Sequence, residues 1–107
     1  MIIKNAKIYR ENGSFDEGDI HIDNERITAG TSQDSTVIDA YGLYAIPGLT
    51  DLHFHGCAGY DFCDGTVEAF DAITRYEAEN GITQLCPATM TLPEETLTKI
   101  CMAAAAY

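Results

Sequence analysis

Polar and apolar residues alternate through the first part of the chain, which is the pattern of half-buried β-strands. The alternation is strictest over residues 19–23, and Asn24-Glu25 is placed as a two-residue turn into the next segment. Predicted strands cover residues 2–3, 6–9, 19–23, 26–29 and 37–40, with a turn at 11–13 and a polar loop at 31–35. Residues 1–46 are therefore expected to form a meander of short strands.

The pattern changes after residue 46, where short apolar runs alternate with segments of helical periodicity. The run 49–54, closed by Gly56, predicts a buried parallel strand, and residues 82–86, ended by Pro87, predict a second one. Between them, apolar residues recur at helical spacing, and Gly81 is placed to end that helix. The recurring residues are Val67, Phe70, Ile73 and Tyr76.

A second helix is predicted behind the second strand. Thr91 and Glu94 have the spacing of a capping box, and Leu97, Ile100 and Cys101 form an apolar stripe behind them. The resulting β–α–β–α order predicts a parallel sheet. Two such units cannot cover both faces of that sheet, so we expect the beginning of a larger protein. The alternative is a small α+β domain whose final helix frays.

Composition narrows the function classes. The 107 residues include 17 acidic and 6 basic side chains, a net charge of −11, which argues against nucleic-acid or anionic-membrane partners. No apolar run approaches the roughly 18–20 residues that span a bilayer, and the first residues lack the apolar core of a signal peptide. A cytoplasmic protein is expected. The four cysteines contain no Cys-x-x-Cys pair and are expected to be buried thiols.

The candidate chemistry lies in the segment Pro47-Gly-Leu-Thr-Asp-Leu-His-Phe-His-Gly56. Side chains at i and i+2 of a strand share a face, so His53 and His55 are expected to project together. Paired imidazoles suit a divalent metal, although a catalytic zinc normally has three protein ligands. The alternative is two histidines that pack at a strand end. His21 is expected at the surface.

This segment resembles the signature of the amidohydrolase superfamily, from Val37 to Gly56. The continuation over residues 55–64 and the run 81–91 resemble, within it, the family of N-acetylglucosamine-6-phosphate deacetylases. The resemblance implies an α+β fragment in two parts. Residues 1–46 would be part of a small β-sandwich, and residues 47–107 the first two βα units of an incomplete metal-dependent TIM (β/α)₈ barrel.

The resemblance also implies site residues and a reaction. His53 and His55 match two ligands of a divalent metal, zinc or iron. Asp51 would be structural on their face, and the loop residues Gly56, Gly59 and Asp61 would lie near the substrate. For Asp61 and Asp64, a solvated loop or helix N-cap is the alternative. The remaining ligands, the general acid/base and the phosphate-binding residues would lie beyond this chain, which has no catalytic residue of its own.

The implied reaction hydrolyses N-acetylglucosamine 6-phosphate to glucosamine 6-phosphate and acetate, in a protein expected to be a homo-oligomer. Three alternatives stay open. The first is another amidohydrolase, acting on a cyclic amide or another N-acyl substrate. The second is a non-catalytic β-rich piece that oligomerises through open strand edges. The third is a metal-binding module formed by His53, His55 and a thiol such as Cys57.

Overall fold

The computed structural model describes residues 1–30 and 35–107; most of the predicted polar loop, 31–34, lies outside the described residues. The chain divides into two compact units, Met1–Pro47 and Gly48–Tyr107. Within the described residues, no helix is long and apolar enough to cross a membrane.

Unit 1 is a mixed sheet of five strands in which β1 is central. β1 pairs antiparallel with β2 and parallel with both β4 and β5, and β2 pairs antiparallel with β3. The strands are β1 (Ile2–Tyr9), β2 (Phe15–Asp23), β3 (Arg26–Thr28), β4 (Val37–Asp39) and β5 (Tyr44–Ala45). The predicted short strands are present, and the first three form the antiparallel meander.

The two strands predicted at 2–3 and 6–9 are one strand with an irregularity between them. The β1–β2 register shifts between Ile3 and Ala6, and Asn5 has a φ of 60°. The Asn5 backbone N–H donates to Asp19 Oδ1 at 3.0 Å, and Asn5 Nδ2 donates to Asp39 Oδ1 at 3.0 Å. The side chains of Asp19 and Asp39 thus accept hydrogen bonds from Asn5 at the bulge, where the regular ladder of backbone hydrogen bonds is interrupted.

The two-residue turn predicted at Asn24-Glu25 is confirmed. Asn24 and Glu25 have φ values of 47° and 63°, and Asp23 pairs with Arg26 across the turn. Positive φ at both central residues is the type I′ geometry that matches the twist of a hairpin.

His21 departs from its prediction: it is half-buried in β2, and its Nδ1 is buried with no hydrogen-bond partner among the described residues.

Unit 2 contains the predicted β–α–β–α order. β6 (Leu49–Phe54) and β9 (Ile82–Pro87) pair in parallel, and α1 (Val67–Glu79) connects them. Between β6 and α1 lie a hairpin, formed by β7 (Gly56–Cys57) and β8 (Tyr60–Asp61), and a 3₁₀ turn at Phe62–Asp64; α2 (Glu94–Ala106) follows β9. A mixed α+β architecture is therefore confirmed, whereas the β-sandwich and barrel assignments stay predictions.

The first helix begins and ends as its sequence predicts. Thr66 is the N-cap, and its side chain accepts a hydrogen bond from the Ala69 N–H at 3.2 Å. Gly81 follows the C-cap with a φ of 83°, a conformation that favours glycine. Of the predicted apolar stripe, Phe70 and Ile73 are buried, whereas Val67 and Tyr76 are 62% and 47% exposed, so only the middle of the stripe faces the interior of the unit.

The capping box predicted for the second helix is wrong. α2 begins at Glu94, its N-cap is Pro93, and no side chain caps it. The Pro93 carbonyl accepts hydrogen bonds from Thr96 and Leu97 at 2.9 and 3.0 Å. Because helix pairing already starts at Pro93, Thr91 lies too far upstream to serve as the cap.

The prediction of buried thiols is also wrong for two cysteines, since Cys86 and Cys101 are exposed and Cys57 and Cys63 only half-buried.

Candidate active site

The two candidate metal ligands lie side by side where β6 ends. The ring centroids of His53 and His55 are 5.1 Å apart, and the rings meet edge to face at 82°. His53 is exposed and His55 half-buried. The structure thus brings together the residues that the His-x-His spacing singled out.

Hydrogen bonds fix the backbone on both sides of the pair. The His53 N–H donates to Asp51 Oδ1 at 3.0 Å. The Phe54 and His55 carbonyls accept from the N–H groups of Ala88 and Phe62, at 2.8 and 2.7 Å. The segment that carries both imidazoles is therefore held on one side by Ala88, the residue after β9, and on the other by Phe62 of the 3₁₀ turn.

One imidazole nitrogen of this pair has no hydrogen-bond partner among the described residues. His55 Nδ1 is buried, with no hydrogen bond to any described residue. A buried polar atom without a partner is costly, and neutral imidazole is a common metal ligand. The described residues contain no group of three or more histidine, cysteine, aspartate or glutamate side chains that could hold a metal ion. The pair fits part of a divalent-metal ligand set.

Asp51 does not share the face of His53 as predicted. The β6–β9 register shifts between Asp51 and Phe54, which pair with Leu85 and Pro87. Leu85, Pro87 and Phe54 all line a cavity of about 210 Å³ that residues of α1 also line. Paired residues of a sheet point to the same side, so Asp51 lies on the helix-facing side. The irregularity interrupts the strict alternation on which the prediction depended.

The predicted substrate loop is a tight hairpin. A Cβ on Gly56 would lie 2.1 Å from the Tyr60 carbonyl oxygen, so only glycine fits there. Ala58 and Gly59 form the two-residue turn, with φ values of 54° and 84°. The geometry of the hairpin alone thus accounts for glycine at positions 56 and 59. That Gly56 and Gly59 lie near a substrate stays a prediction.

Asp61 is engaged in capping. Its Oδ1 accepts the Cys63 N–H at 2.7 Å, while its own N–H donates to Asp64 Oδ2 at 2.9 Å. These two bonds form a capping box around the 3₁₀ turn. The contacts of Asp61 therefore support the N-cap role, which the sequence left open. A contact of Asp61 with a substrate stays a prediction.

Sequence reasoning missed a polar contact made by Cys57, two residues after His55. The Cys57 thiol donates to the Ile73 carbonyl at a sulfur-to-oxygen distance of 3.9 Å. Burial raises the pKa of Cys57, and a hydrogen bond to Glu77 and the charges of Glu77 and Asp51 raise it further. Glu77 is only 9% exposed. Its position four residues after Ile73 and seven after Phe70, on the buried stripe of α1, is the signal that could have identified it.

Comparison with solved structures identifies the architecture. The chain is similar over 100% of its length to N-acetylglucosamine-6-phosphate deacetylase from Thermotoga maritima, with a TM-score of 0.78 and 21% identity. It covers 28% of that chain. At this identity, the likeness establishes the fold.

Curated sequences give two groups of relatives, while no protein-family profile matches. The chain is 25% identical over 96 residues to N-acetylgalactosamine-6-phosphate deacetylase of Escherichia coli O157:H7, covering 90% of this chain and 26% of the relative. It is 40% identical over 48 residues to N-acetylglucosamine-6-phosphate deacetylase of Vibrio furnissii, covering 45% and 12%. It is 45% identical over 58 residues to dihydroorotase of Bacillus subtilis, covering 50% and 14%.

The chain spans about a quarter or less of the length of these curated relatives. These relatives are named as deacetylases and dihydroorotases. The resemblance that the motifs predict is thereby confirmed: in fold and sequence, the chain is similar to N-acetylglucosamine-6-phosphate deacetylase.

Proposed function

We propose that this chain supplies two metal ligands of a metal-dependent hydrolase that removes the acetyl group of N-acetylglucosamine 6-phosphate. The observation that carries the proposal is the His53–His55 pair, with ring centroids 5.1 Å apart at the end of β6. The buried Nδ1 of His55, which bonds to no residue within 1–30 or 35–107, adds to it. In this proposal residues 1–46 belong to a small β-sandwich and residues 47–107 to a TIM barrel, whose active site lies at the carboxyl ends of its strands.

Zinc or iron is the proposed cation. When bound, such a cation lowers the pKa of water toward about 7 and polarises the amide carbonyl. His53 and His55 would hold it, and Asp51 orients the segment through its bond to the His53 N–H. The other ligands and the general acid/base would come from residues outside this chain. The net reaction consumes one water, breaks the amide C–N bond, and leaves acetate and an amino sugar phosphate.

The phosphate group would also be held outside this chain. Unit 2 has two basic side chains, Arg75 and Lys99, and both are exposed. Lys99 Nζ lies 2.8 Å from Glu95 Oε1, one turn away on the same helix. A chain of net charge −11 is a poor binder of anions. In this proposal the described residues therefore contribute to binding the metal and not to binding the phosphate.

The test has a binding arm and an activity arm. Equilibrium dialysis of the 107-residue chain with Zn²⁺ should show binding that His53→Ala or His55→Ala abolishes and that His21→Ala, the matched control in unit 1, leaves unchanged. The product of the complete reading frame, supplied with Zn²⁺ or Fe²⁺, should release acetate from N-acetylglucosamine 6-phosphate. Equal zinc binding by all variants, or no acetate with either metal, would overturn the proposal.

A second candidate is hydrolysis of a cyclic amide, which the match to dihydroorotase at 45% identity favours. That match covers 50% of this chain, whereas two of the three deacetylase matches cover 90% and 100% and the third covers 45%. We therefore place the deacetylase first. A panel containing the sugar phosphate, dihydroorotate and other N-acyl compounds separates the two, since the substrate with the higher kcat/KM decides.

The setting proposed for this enzyme is a cytoplasmic homo-oligomer. A non-catalytic piece that associates through strand edges would also be oligomeric, so the state alone does not separate them. Multi-angle light scattering combined with the acetate assay does. Oligomers that release no acetate would favour the non-catalytic alternative. A clean monomer would rule out oligomerisation both for the enzyme and for the non-catalytic piece.

A further inference from the structure

Asp61 lies where the hairpin that follows His55 runs into the 3₁₀ turn Phe62–Asp64. It is half-buried and pairs across the hairpin with Gly56, the residue after His55. The residue after Asp61 donates its N–H to the His55 carbonyl at 2.7 Å, which extends the pairing by one position. Asp61 is therefore the residue at which the hairpin, the turn and the backbone of His55 meet.

Phe62 connects His55 to the apolar interior of unit 2. The Phe62 ring lies 5.3 Å from the ring of Phe70, measured between centroids, and Phe70 is 4% exposed. The Phe62 N–H is the donor to the His55 carbonyl. Because a peptide unit is planar, the carbonyl and the Cα of His55 move together. A shift of the turn that carries this N–H therefore shifts the Cα from which the imidazole projects.

Two carboxylates fix the conformation of the turn. Asp61 Oδ1 accepts the Cys63 N–H at 2.7 Å, and the Asp61 N–H donates to Asp64 Oδ2 at 2.9 Å. A three-residue 3₁₀ turn makes few backbone hydrogen bonds of its own, and their geometry is poor. Capping side chains therefore supply much of what holds it in place. Cys63 Sγ also accepts the Met90 N–H at 3.2 Å, which ties the turn to the segment after β9.

We propose that Asp61 is a positioning residue for the metal site: its side chain fixes the 3₁₀ turn, and the turn holds the backbone from which the His55 imidazole projects. This inference rests on the proposed function of His53 and His55 as metal ligands. It requires no contact of Asp61 with metal or substrate. Groups that orient metal ligands typically change metal affinity by about 10–100-fold when they are removed.

The first test compares metal binding by the 107-residue chain and its variants, with Zn²⁺ for affinity and Co²⁺ for its visible absorption spectrum. Asp61→Ala should raise the Zn²⁺ dissociation constant about 10-fold and shift the Co²⁺ bands. Asp61→Asn keeps an acceptor oxygen that caps equally well and should restore both. Zinc binding by Asp61→Asn as weak as that of Asp61→Ala would overturn the proposal, because the negative charge rather than the hydrogen bond would then be responsible.

Two matched controls remove capping acceptors elsewhere in the chain. Thr66→Ala removes the acceptor of the Ala69 N–H at the start of α1. Asn12→Ala removes the acceptor of the Ser14 N–H in unit 1, a bond with the same two-residue spacing as that of Asp61. Neither variant should change the Zn²⁺ affinity or the Co²⁺ bands. An Asp61→Ala effect no larger than that of Thr66→Ala would overturn the proposal, because it would reflect a general loss of stability.

The second carboxylate tests the route of the effect. Asp64→Ala should also weaken Zn²⁺ binding, because it removes the acceptor of the Asp61 N–H. The double variant should be no weaker than the weaker of the two single variants, since both act on one turn. Fully additive losses would overturn the proposal.

Hydrogen exchange separates failure of this inference from failure of the proposed function. Exchange at the Phe62 N–H, which is bonded to the His55 carbonyl, reports the turn in the absence of metal. Faster exchange in Asp61→Ala than in Asn12→Ala supports the positioning role even if the unmutated chain binds no zinc, in which case the metal function alone fails. Equal exchange in the two variants overturns the positioning role. Should Asp61→Ala not fold, Asp61→Gly and Asp64→Ala replace it in the same comparisons.

Discussion

Unit 1 and unit 2 bury different kinds of side chain. Among the described residues of unit 1, the buried hydrophobic side chains are Ala6 and Ala40, whereas Tyr9 and Phe15 are 43% and 42% exposed. Unit 2 buries Phe70, Ile73 and Ile100, besides Ala69. Burial of apolar area is the dominant favourable term in folding. Unit 1 therefore depends more on strand pairing and local hydrogen bonds, and unit 2 more on the packing of helices on a small sheet.

The site-bearing unit is the one with the larger apolar core, and this difference has a mechanical consequence. Side chains that bind a metal must be held within a fraction of an ångström. A strand end supported by a helix and a capped turn meets that demand better than a sheet with exposed aromatic residues. The contrast between the two units predicts where substitutions will be felt most.

The largest effect is expected for Phe70→Ala in unit 2. Phe70 is 4% exposed, and truncating a buried phenylalanine costs about 3–5 kcal/mol. Phe15→Ala in unit 1 is the matched control and should cost about 1 kcal/mol or less, because the side chain already meets water. Urea unfolding of both variants measures the difference. Equal costs would contradict the contrast drawn between the units.

Gly56→Ala should come next, at about 2–4 kcal/mol. The new Cβ would lie 2.1 Å from the Tyr60 carbonyl oxygen and 2.7 Å from the Asp61 Cα, which are backbone atoms and cannot move independently. Gly30→Ala in unit 1 is the control, since nothing lies within 4 Å of a Cβ there. Thermal unfolding followed by circular dichroism checks both, and a Gly56 variant as stable as the Gly30 variant would refute the hairpin geometry.

A smaller loss is expected from the cap of α1. Thr66→Ala removes the acceptor of the Ala69 N–H and should cost about 1 kcal/mol. Thr91→Ala removes the residue that the sequence pattern had placed as a cap, and should cost close to nothing because α2 has no side-chain cap. Chemical unfolding of the two variants side by side gives the answer; a larger loss for Thr91 would restore the sequence prediction.

The smallest effects are expected from pH, with opposite signs in the two units. Hydrogen bonds from Asn5 and the Tyr41 N–H lower the pKa of Asp39 below its ordinary value of 3.8. The folded carboxyl holds its proton less tightly, so its contribution to stability is full above pH 3.8 and is lost as pH falls through the folded pKa.

In unit 2, the hydrogen bond to Glu68 raises the pKa of Tyr60 above its ordinary value of 10.0. That contribution is present below pH 10.0 and is lost as pH rises through the folded pKa. NMR titration of both residues, with Asn5→Ala and Glu68→Gln as the variants that should return each pKa toward its ordinary value, checks the two signs. A titration of Asp39 above 3.8, or of Tyr60 below 10.0, would contradict them.

Local patterns predicted much of the fold. The Asn24-Glu25 turn, the β–α–β–α order and the end of α1 at Gly81 all follow from short-range rules, and the structure contains each of them. The closeness of His53 and His55 also follows from strand geometry, because residues two apart share a face.

The rest depended on contacts distant in sequence. The bulge at Asn5 depends on hydrogen-bond acceptors from Asp19 and Asp39. These two residues lie too far from Asn5 in the sequence for a local pattern to include them. The side on which Asp51 lies depends on a register shift against β9.

The hairpin after His55 also limits how this region of the sequence can change in length. Its turn is two residues, Ala58 and Gly59, and the side-chain period of a strand is two. One inserted or deleted residue would reverse the faces of Tyr60 and Asp61 and break both the Tyr60–Glu68 bond and the Asp61 cap. Besides requiring glycine at positions 56 and 59, this hairpin should therefore exclude insertions and deletions during evolution.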